Sequence, residues 1–104
     1  MLQTDLTSGM TIPAAFQPDV ARAVRILKEG GCKEVFLFGS LAEGRSHADS
    51  DIDLAVCGCP ADRFFHLLGK LLFELRHRVD LVDLDAPDPF AQYLLQHGAL
   101  QRVG

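Results

Sequence analysis

Lys33-Glu34-Val35-Phe36-Leu37-Phe38, closed by Gly39-Ser40, and Asp51-Ile52-Asp53-Leu54-Ala55-Val56 are the two stretches on which the fold turns. Both are dense in β-formers and bounded by turn residues, so each reads as a mostly buried strand. Ten residues, including Gly44 and several short polar side chains, separate Ser40 from Asp51. With the two strands as neighbours, the Gly-Ser turn and the Asp-x-Asp pair lie at one edge of a sheet. Side chains alternate across a strand, which puts Asp51 and Asp53 on one face and Ile52 on the other.

Working outward, Pro18 and Asp19 suit the first turn of a helix, and Val20, Ala23, Val24 and Leu27 recur at helical spacing until Gly30-Gly31 stops it. After Gly58 and Pro60, residues 61–76 read as a second helix, with Phe64, Leu68, Leu71 and Leu75 in one stripe widened by Phe65 and Leu72. Phe73 falls nearly opposite that stripe, so the arm, the C-terminal segment or another chain must cover it. Residues 78–84 alternate well enough for a third strand, Asp88-Pro89 opens a helix through His97, and residues 100–103 allow a last strand. The order implies an α/β (α+β) domain, a small mixed sheet of three to four strands flanked by helices. Residues 1–16 lack a sustained period and read as a flexible N-terminal arm, leaving 17–104 as the domain.

The chain has 104 residues, 48% hydrophobic and 23% charged, enough for one core and little else. With 10 basic against 14 acidic residues and no basic stripe, tight sequence-independent binding of nucleic acid is not expected. No apolar run approaches a membrane span, and residues 1–16 contain Asp5 and no basic leader, so a cytoplasmic location is the default. Cys32, Cys57 and Cys59 are odd in number and read as reduced thiols, with no second pair to make a zinc site with Cys57 and Cys59.

The chemistry gathers at the edge shared by the first two strands. Two carboxylates side by side repel each other, and their oxygens suit a hard divalent cation such as Mg²⁺, which keeps waters and takes substrate phosphates as its other ligands. Gly39 lets backbone approach a phosphate, Ser40 offers a hydroxyl and an amide, and a following helical turn aims its amides at an anion. Carboxylates beside a phosphate turn require metal between them, which points to a nucleoside triphosphate. Asp80 and Asp83 of the third strand lie on opposite faces, so only one joins the pair. Asp80, near the start of the strand, is preferred as metal ligand or proton acceptor.

Phe-Gly-Ser-Leu-Ala-Glu-Gly from Phe38, Ser-Asp-Ile-Asp-Leu-Ala-Val from Ser50 and Val-Asp-Leu-Val-Asp-Leu from Val79 together resemble the minimal nucleotidyltransferases of the polymerase-β superfamily, nearly throughout from Pro18 onward. The resemblance implies the nucleotidyltransferase fold and transfer of a nucleoside monophosphate, AMP from ATP, to a hydroxyl. It implies Gly39 and Ser40 at the triphosphate, and Asp51, Asp53 and Asp80 as catalytic residues holding Mg²⁺. Relatives often have arginine directly after the Gly-Ser and again two positions later, where this chain has Leu41 and Glu43. Arg45 is then the candidate to supply part of the missing charge at the nucleotide, or else a solvated side chain.

The chain is also similar to minimal-family antitoxins paired with HEPN-domain ribonuclease toxins, some of which are silenced by AMP transfer to a tyrosine. A HEPN-type toxin is the partner this implies. Two alternatives stand beside it: a non-catalytic binding module of the same fold, and a small-molecule transferase of the aminoglycoside type, which needs substrate-binding structure this chain has no room for. His47 reads as an exposed loop residue, while His66, His77 and His97 share no ligand spacing. Tyr93 reads as packing or interface, or as a hydroxyl for self-modification.

Overall fold

The computed structural model describes residues 12–104. Four helices and four strands follow in the order α1 (Gln17–Glu29), β1 (Glu34–Phe38), α2 (Gly39–Glu43), β2 (Ile52–Cys57), α3 (Phe64–Glu74), β3 (Val79–Asp83), α4 (Pro89–His97) and β4 (Gln101–Arg102), with a single 3-10 turn at Ala61–Arg63 before α3. The sheet order is β3-β2-β1-β4. β1 runs antiparallel to β2 and β4, and β2 runs parallel to β3, so the sheet is mixed.

Alternation divides the sheet cleanly. Val35 and Leu37 of β1, Ile52, Leu54 and Val56 of β2 and Val79 of β3 point to the face covered by α1 and α3, where Ala23, Leu27, Leu67 and Leu71 complete the main core. Phe38, Ala55 and Leu84 point to the other face, against Leu94 of α4. The glycine-bounded segments form strands because both faces can be filled, and α2 folds onto the same core through Leu41, only 1% exposed.

The stripe of α3 is turned about one residue from the one expected: Leu67, Leu71 and Leu75 are buried, while Phe65 and Leu72 stand exposed beside Phe73. The apolar residues of α3 circle too much of the helix for one face to be singled out by periodicity, and packing on α1 selects Leu67. The C-terminal segment does not cover Phe73, which is 91% exposed.

Of the stretch expected as an arm, residues 1–11 lie outside the described residues, whereas Ile12 and Phe16 are buried in the main core. Phe16 stacks on His77 with ring centroids 4.2 Å apart, which ties this end of the segment down. A helix start was expected at Pro18. The helix begins at Gln17, with Phe16 as its N-cap residue.

Asp19 has a role no local pattern announces. Its side chain is buried, and Oδ2 accepts from the backbone amides of Arg76 (2.8 Å) and His77 (2.9 Å) and pairs with Nδ1 of His77 (2.7 Å). Burial alone would push this carboxyl up. The hydrogen bonds of His77 and Arg76 and the His77 charge outweigh it and hold Asp19 below its usual range. The first turn of α1 is thereby fastened to the turn that feeds β3.

All three cysteines are free. Cys57 packs with the α4 side of the sheet and Cys59 with the main core, so the two do not converge on one point.

Candidate active site

β1 ends at Phe38 and the chain turns at Gly39 with φ of 74°, a conformation glycine adopts without strain. The register is Phe38 opposite Asp53 across the antiparallel pair, and Asp53 beside Asp80 across the parallel one. Three neighbouring strands thus deliver the Gly-Ser turn, Asp53 and Asp80 in a row. A β-carbon at position 39 would overlap Oδ2 of Asp53, so the missing side chain is what lets the carboxylate sit against the turn.

Asp53 is half-buried and Asp80 is exposed, and the two stand side by side in the β2–β3 register. Burial first, then the charge and hydrogen bond of Asp80 and the charge of Asp51, push the Asp53 carboxyl up from an ordinary 3.8 to about 6. A carboxyl raised by like charges is a site short of positive charge. Asp51 is half-buried immediately before β2. Among the described residues no three His, Cys, Asp or Glu side chains already stand as a closed metal cage. Asp53 and Asp80 side by side, with the charge of Asp51 bearing on Asp53, are oxygen donors of the kind a hard cation takes while it completes its shell with water and phosphate oxygens. Asp83 goes to the opposite face from Asp80 and accepts from the amide of Asp85 at 3.0 Å.

Ser40 lies in the first turn of α2, and its carbonyl accepts from the amides of Gly44 and Arg45, closing that short helix. The loop that follows α2 is organised by Ser50, whose hydroxyl accepts from the amide of His47 at 2.8 Å; His47 itself is exposed. Arg45 is not directed at the carboxylates. Its Nη2 and Nε donate to Oε1 of Glu43 at 2.7 and 3.0 Å, in an exposed pair. Leu41 occupies the core instead of the turn's surface.

One feature was not read from the sequence. A cleft of about 620 Å³ opens beside Asp53 and Asp80, walled by Leu68 and Leu72 of α3, Val82 of β3, Phe38 and Phe90, with Arg78 at its rim. The over-wide apolar stripe of α3 was the signal: Leu72, assigned to the core, lines this cleft. Tyr93 is exposed and stacks on His97 at 5.3 Å, away from the cleft's lining residues.

The sheet register and the glycine turn define a nucleotidyltransferase, and comparison with known proteins agrees. The family pattern described as "Polymerase beta, Nucleotidyltransferase" matches residues 23–100, and the chain belongs to that family. No curated protein matches it. Among solved structures, a toxin–antitoxin complex with AMP-PNP is similar at 30% identity and a TM-score of 0.60, over 78% of this chain and 70% of that one. A tri-AMPylated Shewanella oneidensis HEPN toxin in complex with its MNT antitoxin is similar at 26% identity and a TM-score of 0.56, over 82% and 70% of the two chains. A protein described as a minimal nucleotidyltransferase shares the fold over 100% of this chain and 99% of its own, at 23% identity and a TM-score of 0.62.

Proposed function

We propose that this chain transfers AMP from ATP, with Mg²⁺, to a hydroxyl of a partner protein, and that it serves in the cytoplasm as the antitoxin of a HEPN-type toxin. The observation that carries the reading is the row formed by the Gly39 turn, Asp53 seated against it and Asp80 beside Asp53 in the next strand. Similar structures that hold AMP-PNP, or an AMPylated HEPN toxin, support the choice of nucleotide and partner.

In this reading Gly39 and Ser40 receive the triphosphate, Arg45 meets a phosphate oxygen by leaving Glu43, and Asp51, Asp53 and Asp80 hold the metal. Bound there, Mg²⁺ would neutralise phosphate charge and steady the α-phosphate. Asp80, the most exposed of the carboxylates, accepts the proton of the attacking hydroxyl. The acceptor oxygen forms a bond to the α-phosphorus, and the bond to the bridging oxygen breaks, with pyrophosphate leaving with the electron pair. Catalysis is then mostly positioning and charge neutralisation, and an unheld hydroxyl reacts poorly.

A second reading, a binding module without catalysis, is favoured by the Glu43–Arg45 pair, which occupies the turn's guanidinium and leaves acidic surface near the phosphate position. Incubating the chain with a HEPN-domain toxin, ATP and Mg²⁺, followed by intact-mass measurement, separates the two. AMP-sized additions on the partner that disappear with Asp53→Asn support transfer. Stable complex formation with no addition supports the binding module, and additions to a small molecule alone overturn both.

A further inference from the structure

Across the sheet, the Gly39-Ser40 turn, Asp53 and Asp80 stand in that order, on β1, β2 and β3. Displacement at a phosphorus runs with the attacking and leaving oxygens roughly in line. With the leaving pyrophosphate on the glycine turn, the attacking oxygen has to enter from the far side, beyond Asp80. The cleft of about 620 Å³ opens on that side, and no residue of α2 lines it.

Its walls are unusual for a small domain. Leu72 on α3 and Phe90 on α4 are 56% and 48% exposed and come from opposite faces of the sheet, with the cleft running between them along β3 and the two carboxylates on the α4 face. Large apolar side chains left in water beside a polar reaction centre cost free energy unless something covers them. Phe65 lies on the same face of α3 as Leu68 and Leu72, 79% exposed, and extends the apolar strip outward from the cleft. Arg78 is the cation among the cleft's lining residues, placed at the start of the strand that bears Asp80.

We propose that this cleft is the acceptor subsite, and that Leu72 and Phe90, with Arg78, select the polypeptide segment carrying the reacting hydroxyl. The assignment rests on the protein-directed transfer argued above and adds to it the surface that recognises the acceptor. The segment it fits places apolar side chains on either side of the hydroxyl-bearing residue and an acidic group toward Arg78. Neither Leu72 nor Phe90 touches the reacting atoms; they act by holding the segment so that its hydroxyl reaches Asp80. The competing occupant is the adenine of ATP, which would use the same apolar walls.

The test uses the full chain with ATP and Mg²⁺ as donor and a HEPN-domain toxin as acceptor, in Leu72→Ala, Phe90→Ala and Arg78→Glu. Because these side chains are exposed at the cleft, the variants keep the core, and thermal melting verifies it. Each substitution is expected to raise the KM for the acceptor protein on the order of tenfold, with kcat and the calorimetric Kd for magnesium ATP held within about twofold. A parallel loss of ATP affinity overturns the proposal and places the nucleobase in the cleft. An unchanged acceptor KM also overturns it, since the partner then docks elsewhere. If the unsubstituted chain transfers nothing, the protein-directed reading itself fails and this one falls with it, an outcome visible before any variant is made.

Discussion

The carboxylate of Asp53 rests on the bare Cα of Gly39, in the turn that leaves the neighbouring strand, where any β-carbon would overlap Oδ2. One glycine therefore does two things: it turns the chain into α2 at a positive φ and it admits the carboxylate to the turn.

Gly39→Ala removes both allowances. The left-handed conformation alone costs a non-glycine residue roughly 1–2 kcal/mol, and displacement of Asp53 comes on top. Denaturant unfolding should show a loss at least that large. Titration with magnesium ATP should show a greater proportional loss of binding at temperatures where the variant remains folded. Full nucleotide affinity in a folded Gly39→Ala would show that the contact is incidental.

Asp53 also sets a pH dependence. Its carboxyl titrates near 6 in the folded chain against an ordinary 3.8, so the folded state holds that proton more tightly than the unfolded one. The unfolded chain releases it first as pH rises, and stability falls between about pH 4 and pH 6 and stays reduced above. In EDTA the melting temperature should decline from about pH 4 to about pH 6 and level off above, and Asp53→Asn should flatten that decline while abolishing transfer. Added Mg²⁺ should restore stability at neutral pH in the unsubstituted chain only. A profile identical for both proteins would remove Asp53 as its source.

Glu43 holds Arg45 through two hydrogen bonds from the guanidinium. Glu43→Arg reverses a charge at the turn and frees that guanidinium, so affinity for the triphosphate should rise, most at low salt. Ser40→Ala should lower it by about 1.5–3 kcal/mol, the worth of a hydrogen bond to a charged group. Calorimetry on the two variants gives opposite signs if the turn cradles phosphates, and no change in either if it does not.

The pairing of Asp19 with His77 predicts a structural cost felt at a distance. Asp19→Ala strips two backbone amides of their acceptor, at about 1–3 kcal/mol for each buried donor left unsatisfied. Since Asp19 titrates below its usual range when folded, its contribution is full above the ordinary carboxylate range and is lost as pH falls through the lowered value. Acid unfolding should therefore shift to higher pH in Asp19→Asn. An unshifted acid midpoint would mean that the pair contributes nothing to the pH dependence.

What the sequence could disclose follows from distance along the chain. The strands around Gly39 and Asp53 and their shared edge follow from period-two alternation and a short connection; alternation also separates Asp80 from Asp83, while the preference for Asp80 comes from its place at the start of the strand. The clamp of Asp19 on Arg76 and His77 does not, because its partners lie 57 and 58 residues away and neither carries a spacing that marks it. The burial of Phe16 was hidden for the same reason: its ring partner is His77. On α3, Leu68 and Leu72 looked like core because aliphatic residues nearly encircle the helix; which of them meets α1 is decided by packing. Arg45 looked available for phosphate because its neighbour Glu43 was read as a separate charge, although two residues apart across the end of a helix they reach each other.

The parallel pairing of β2 with β3 governs the order in which the site can be assembled. β1, the glycine turn and β2 form a hairpin-like unit closed by short-range contacts, and it can form as soon as residues 34–57 are available. Asp80 arrives only after the chain has passed through α3 and returned beside β2, so the joining of the two carboxylates depends on the longer loop closure. A chain caught part-way through synthesis or partly unfolded would present the glycine turn and Asp53 without their partner. Any activity that needs both carboxylates is then confined to molecules in which β3 has joined β2.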